Sequence, residues 1–151
     1  MAVERTLSII KPDAVSRCAI GRICAAIEAS NLSIVAARME RLSAALAARF
    51  YEAHRGKPFF EPLVRFMASG PVFLMVLSGE GAIARFRELM GATDPAQAHP
   101  MTLRRQFGTS IGENAIHGSD SDASAQREVS FFFSESEIVG DGFRDPEAIP
   151  G

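Results

Sequence analysis

His117 is the residue from which chemistry can be argued first. It stands in the run Asn114-Ala115-Ile116-His117-Gly118-Ser119-Asp120-Ser121. An imidazole titrates near about pH 6.5, so its neutral form can act as a nucleophile at physiological pH. Glu128 follows later in the chain and can return to orient the second ring nitrogen, while Gly118 leaves room for a phosphate to approach. On spacing alone, a purely structural role for such a loop histidine stays open. His54 and His99 have no comparable setting, and together with His117 they form no paired ligand motif, so no protein metal site is expected.

The cations make a second constellation. Arg87 precedes the irregular stretch 91–118, Arg104 and Arg105 lie within it, and Thr93 and Thr102 add hydroxyls. Lys11 leaves the first apolar segment where that stretch can meet it. Guanidinium groups bind phosphate bidentately and lysine supplies a point charge. Singly, each arginine reads equally well as a solvated surface charge; convergence on one loop is what points to phosphate. Gly79-Glu80-Gly81-Ala82-Ile83-Ala84 formally matches the dinucleotide fingerprint G-x-G-x-x-A. That fingerprint needs a further parallel strand after its helix, and here the polar stretch follows instead. The P-loop pattern is absent.

These residues need elements to hold them. Val3 to Ile10 reads as a strand ended by Lys11-Pro12-Asp13, because proline lacks a donor and biases its predecessor towards extended backbone. Ile20 to Ser30 is an amphipathic helix stopped by Asn31. Ser33 to Arg41 is a second strand, and Ser43 can cap a helix over Ala44 to His54. Pro62 suits the first turn of a helix reaching Ala68. Val72 to Leu77 is a near-continuous apolar run suited to a central strand, and Ala82 to Met90 is a helix stopped by Gly91. The stretch 91–118 holds one helical turn near Leu103, and irregular segments this long are usually functional. Asp122 to Arg127 is expected as a short helix, and Val129 to Phe133 as the last strand. The order suggests an α+β fold: a ferredoxin-like split β-α-β sandwich, an antiparallel sheet with helices packed on it.

Composition bounds the alternatives. The chain has 151 residues, 47% hydrophobic and 23% charged, with a formal net charge of -2. One domain of that size buries roughly 68–70% of its unfolded surface, enough for a core without staples. A pI near 5.9 argues against a dedicated nucleic-acid binder. Pro71 to Leu77, the longest apolar run, falls far short of the roughly 20 residues that span a bilayer. The N-terminus lacks a charged and apolar leader pattern, so a cytoplasmic protein is expected. Two cysteines, Cys18 and Cys24, support no disulfide framework.

Several ordered blocks match one family. Glu4 to Val15, Phe50-Tyr51-Glu52-Ala53-His54, Pro58-Phe59-Phe60, Phe66 to Val72, Leu89 to Thr93 and, most specifically, Asn114 to Ser121 resemble the nucleoside diphosphate kinases. The resemblance runs from about residue 3 to 139, giving one domain over 1–139 and a tail, 140–151, without an assigned role. It implies transfer of a γ-phosphoryl group from a nucleoside triphosphate to a nucleoside diphosphate through a phosphohistidine, maintaining NTP and dNTP pools. His117 would be the nucleophile, Glu128 its orienting partner and Ser119 a supporting hydrogen-bond partner. Lys11, Tyr51, Arg87, Thr93, Arg104 and Asn114 would contact phosphates or ribose, and Phe59 would stack on the base.

Magnesium (Mg2+) would bridge the phosphates, held mainly by nucleotide and water. The partners implied are ATP and other nucleoside di- and triphosphates, with no membrane and no dedicated nucleic-acid binding. A homo-oligomer built on dimers, tetramer or hexamer, is expected, because Ser33 to Met39 reads as an exposed apolar edge. Met101 stands where the family usually has glycine, so it is expected to constrain the loop carrying Arg104. Two rivals weigh less. A silent nucleotide-binding relative would lose His117. An RNA-binding module would display Phe131-Phe132-Phe133 on a strand flanked by basic residues, which are lacking.

Overall fold

Strands β1 (Val3–Ile10) and β3 (Val72–Glu80) form the middle of a four-stranded antiparallel sheet, ordered β2-β3-β1-β4. In this computed structural model, residues 2–141 are described. β2 (Ser33–Glu40) is one edge and β4 (Ile116–Gly118) the other. β3 reads as a near-continuous apolar run, and β1 is buried from Thr6 to Ile10, because helices cover both faces of the sheet. The α+β, ferredoxin-like class expected from the element order is what the chain adopts.

Helices α1 (Pro12–Ser16), α2 (Ile20–Ala29), α5 (Ala82–Met90) and α6 (Leu103–Phe107) serve one face. There Ile23, Ile27, Phe86 and Met90 close on Ile10, Met75, Leu77 and Ile116. Helices α3 (Ala44–Phe50), α4 (Phe60–Met67) and α7 (Asp122–Phe132) serve the other. Phe50, Phe60, Val64, Met67, Val129 and Phe132 pack there on Leu7, Ile9, Leu74 and Val76. Ser43 caps α3 by accepting from the Leu46 N–H, as expected. Asn31 holds φ +65°, the left-handed stop inferred for α2.

The expected elements need four corrections. Val129 to Phe133 is not a strand: Asp122–Phe132 is one helix, because Ala125, Glu128, Val129 and Phe132 recur at helical spacing and bury one side. That period outweighs the β-propensity of three consecutive aromatics. The fourth strand is instead Ile116–Gly118, so His117 stands on a strand rather than in a loop. α1 begins directly at Pro12, in the segment expected only to end the first strand. The helix over Ala44 to His54 breaks at Tyr51 into α3 and a 3-10 turn, Glu52–His54. Among the described residues, no helix is long and apolar enough to cross a membrane. Residues 142–151 of the expected tail lie outside the described residues.

Candidate active site

His117 pairs with Ile9 across the β1–β4 ladder, which fixes its backbone and aims its ring at the face covered by α3 and α7. From α7, the buried Glu128 places Oε1 2.7 Å from His117 Nε2. A carboxylate oxygen only accepts, so the assigned tautomer has the proton on Nε2 and the lone pair on Nδ1. Ser119 Oγ donates to the same Oε1 at 3.0 Å while accepting from the Leu7 N–H at 3.2 Å. The chain of bonds therefore runs from the β1 backbone through Ser119 and Glu128 to the imidazole. Phe50 and Tyr51 meet the ring edge-on, with centroids at 5.4 Å and 6.1 Å, which fixes its plane.

The cations converge beside it. Lys11, buried at the end of β1, donates from Nζ to Asn114 Oδ1 at 2.8 Å. Asn114 in turn donates from Nδ2 to the Thr93 carbonyl at 3.0 Å. Arg104, on α6, donates to the carbonyls of Gly91 and Ile116 at 3.0 Å and 3.1 Å, leaving Nε buried without a partner. Burial, reinforced by Arg104 and opposed by Asp13, pushes the Lys11 ammonium down to about 8. Burial and then Arg87 push the Arg104 guanidinium down to about 10. Charges that depress one another in a dry site make it receptive to an anion. Tyr51 is buried with its hydroxyl unpartnered, and burial and then Glu128 raise its phenol above the ordinary range.

Two connected hollows share Tyr51, His54 and Arg104. One, of about 240 Å³, is lined by His117, Glu128, Arg87 and Asp120. The other, of about 510 Å³, is lined by Lys11, Thr93, Asn114 and the half-exposed Phe59. A charged end and an apolar end, joined at Arg104, match the two ends of a nucleotide. A larger cleft, about 780 Å³, lies elsewhere, beside Glu4 and Asp122, where Arg5 is already paired with Glu135 and Asp141.

All ten site residues expected from the sequence therefore stand in or directly behind these hollows. Arg105 and Thr102 do not: Arg105 donates to the Ala96 carbonyl, and Thr102 caps α6. Gly118 lacks a side chain for a different reason from phosphate access. A Cβ there would lie 2.7 Å from Phe86 and 2.9 Å from Met90, so the glycine lets α5 approach β4. Met101 is exposed and outside the positive-φ region, so the loop carries Arg104 without glycine. Ile111, His54 and Asp120, to which the sequence alone gives no role, also line the hollows. Ile111, exposed in a polar loop and lining the larger hollow with Phe59, was the one with a visible signal. Hydrogen bonding from Ser124 foremost holds the Asp120 carboxyl below its ordinary range.

Comparison with known proteins identifies the family. The family model for nucleoside diphosphate kinase matches residues 4–138. The chain belongs to the nucleoside diphosphate kinase family. It is 57% identical to the nucleoside diphosphate kinase of Bordetella petrii over 138 residues, 91% of this chain and 98% of that protein. The solved Aquifex aeolicus nucleoside diphosphate kinase superposes with a TM-score of 0.90 at 50% identity, covering 91% of this chain and 100% of the other. A halophilic nucleoside diphosphate kinase from Halobacterium salinarum, solved in complex with CDP, gives 0.91 at 43% identity, with 95% of each chain covered. The chain is thus an enzyme, with nucleoside diphosphate kinase activity.

Proposed function

We propose that the γ-phosphoryl group passes through a covalent phosphohistidine on His117, in a ping-pong cycle that equilibrates NTP and dNTP pools. The observation that supports this most is the 2.7 Å bond between His117 Nε2 and Glu128, which leaves Nδ1 as the ring nitrogen with a free lone pair. Nδ1 attacks the γ-phosphorus, the bond to the β–γ bridging oxygen breaks, and the diphosphate leaves with that electron pair. The ring gains positive character as it is phosphorylated, which Glu128 offsets, while Ser119 keeps the carboxylate in place. An oxygen of the acceptor's terminal phosphate then attacks the same phosphorus, and Nδ1 leaves with its lone pair restored. One pocket serves both nucleotides in turn.

Lys11, Arg87 and Arg104 balance the charge on the phosphates, with Tyr51, Thr93 and Asn114 contacting phosphate or ribose. Phe59 stacks on the base, with Ile111 beside it. Among the described residues, no group of three His, Cys, Asp or Glu side chains is placed to hold a metal. Asp120, its carboxyl held below the ordinary range, would hold magnesium carried on the nucleotide through a water-mediated contact, and the ion would neutralise phosphate charge. We also propose an oligomer built on dimers through the β2 edge.

The test is mass spectrometry of enzyme incubated with ATP and magnesium, without acceptor. A single phosphate should appear on His117, stable in alkali and lost in acid. His117→Ala should bind nucleotide yet lose transfer. A stable phosphate on another residue, with turnover retained in His117→Ala, would overturn the reading.

A further inference from the structure

We propose that Asp13 is a positioning residue for phosphotransfer: its carboxylate clamps a strained turn at Ala115 that sets Asn114 and His117 relative to Lys11. Asp13 lies buried in the first turn of α1. Its Oδ2 accepts from the Ala115 N–H at 3.1 Å. The other side of that residue is held too, since the Lys11 N–H donates to the Ala115 carbonyl at 2.8 Å. Ala115 has φ +74°, and the Ile116 N–H reaches back to the Asn114 carbonyl at 2.9 Å. That is a γ-turn of the rarer hand, strained for any residue with a Cβ. Such a conformation persists only where its surroundings over-determine it.

The turn's position makes the strain consequential. On its near side Asn114 braces the Lys11 ammonium; on its far side β4 begins, and His117 is its second residue. A relaxed backbone at Ala115 would change the spacing between brace and nucleophile, and small misplacements of reacting groups cost large factors in rate. Asp13 is built for this task rather than for general packing. It spends one oxygen on a single backbone donor and leaves Oδ1 buried without a partner. It also favours the charged form of the adjacent Lys11, so its charge and its hydrogen bond need separating experimentally.

The inference rests on His117 being the nucleophile, and the two can fail separately. Four variants are compared by steady-state kcat/KM, by single-turnover phosphorylation of His117 and by thermal midpoint: Asp13→Ala, Asp13→Asn, Ala115→Gly and Asp13→Ala/Ala115→Gly. Asp13→Ala should lower kcat/KM and the single-turnover rate by about tenfold or more. Asp13→Asn, which keeps an acceptor oxygen, should stay within about threefold of wild type at pH 7, as should Ala115→Gly. Glycine adopts the turn without a clamp, so the double variant should recover to within about threefold of Ala115→Gly.

Full activity in Asp13→Ala, or a double variant as slow as Asp13→Ala, overturns the proposal. If Asp13→Ala does not fold, the comparison of the double variant with Ala115→Gly decides, and a double variant that also fails to fold overturns it. Retained transfer in His117→Ala instead removes the reading of the site. With His117→Ala dead, a failed rescue removes only the clamp.

Discussion

At the scale of single residues, burial holds Lys11 and Arg104 of the proposed site below their ordinary ranges. Lys11 sits at about 8 against an ordinary 10.5, so near pH 7 its buried charge costs stability on the order of 3 kcal/mol. The sign follows from linkage. Between about 8 and 10.5 the unfolded chain binds the proton and the folded chain does not, so the stability contributed by Lys11 rises with pH in that window. Binding behaves oppositely, because only the ammonium attracts phosphate. The kcat/KM profile should therefore fall as pH rises through about 8. The corresponding limb of kcat should lie at higher pH, since bound phosphate favours the charged lysine. A limb near 8 that persists in Lys11→Gln would assign it to another group. Phe59, half-exposed with Lys57 over its ring, belongs to the same scale. Phe59→Ala should weaken nucleotide binding by about 1–3 kcal/mol, the usual worth of one stacked base, with little change between bases. Equilibrium titration with several diphosphates checks both statements, and strong selectivity for one base would contradict the second.

At the scale of elements, three pieces from distant parts of the chain meet in two adjoining hollows. β4 supplies His117, α7 the carboxylate bonded to it, and the end of β1 the lysine. The packing of α5 on β4 keeps Arg87 at the mouth of the smaller hollow. Gly118 is the contact on which that packing depends. Gly118→Ala should destabilise the fold by about 1–3 kcal/mol, as overpacked sites do. For a chain this size the thermal midpoint should drop several degrees, at roughly 2–4 °C per kcal/mol. Calorimetry measures it directly. An unchanged midpoint would mean that Phe86 and Met90 yield without cost.

At the scale of the whole molecule, the β2 edge is the unfinished part. One of its outward groups is used, the Val35 carbonyl, which accepts from the Val139 N–H at 3.0 Å. Met39 and Val139 lie exposed nearby. An open apolar edge invites pairing, and pairing with a symmetry mate closes it. Sedimentation at micromolar concentration should give multiples of 16.3 kDa. A monomer alone would defeat the dimer proposal.

The sequence by itself determined the class of fold, the central strands, α2 and α5, and it named the residues that the proposed site draws on. These rest on local signals: apolar periodicity, capping residues, and ordered blocks whose residue types carry the resemblance. Only the tertiary structure decided where the fourth strand lies, because three residues are too few to show a period and gain their conformation from β1. It also decided that Phe131-Phe132-Phe133 belongs to the end of a helix and the residue beyond it, since burial of one face outweighed local preference. The reason for Gly118 was equally illegible, as its constraint comes from Phe86 and Met90, far away in sequence. So was Asp13: nothing in Lys11-Pro12-Asp13 reveals that its carboxylate reaches an amide 102 residues away. Local chemistry can be read along the chain, but contacts between distant segments exist only once the sheet has brought them together.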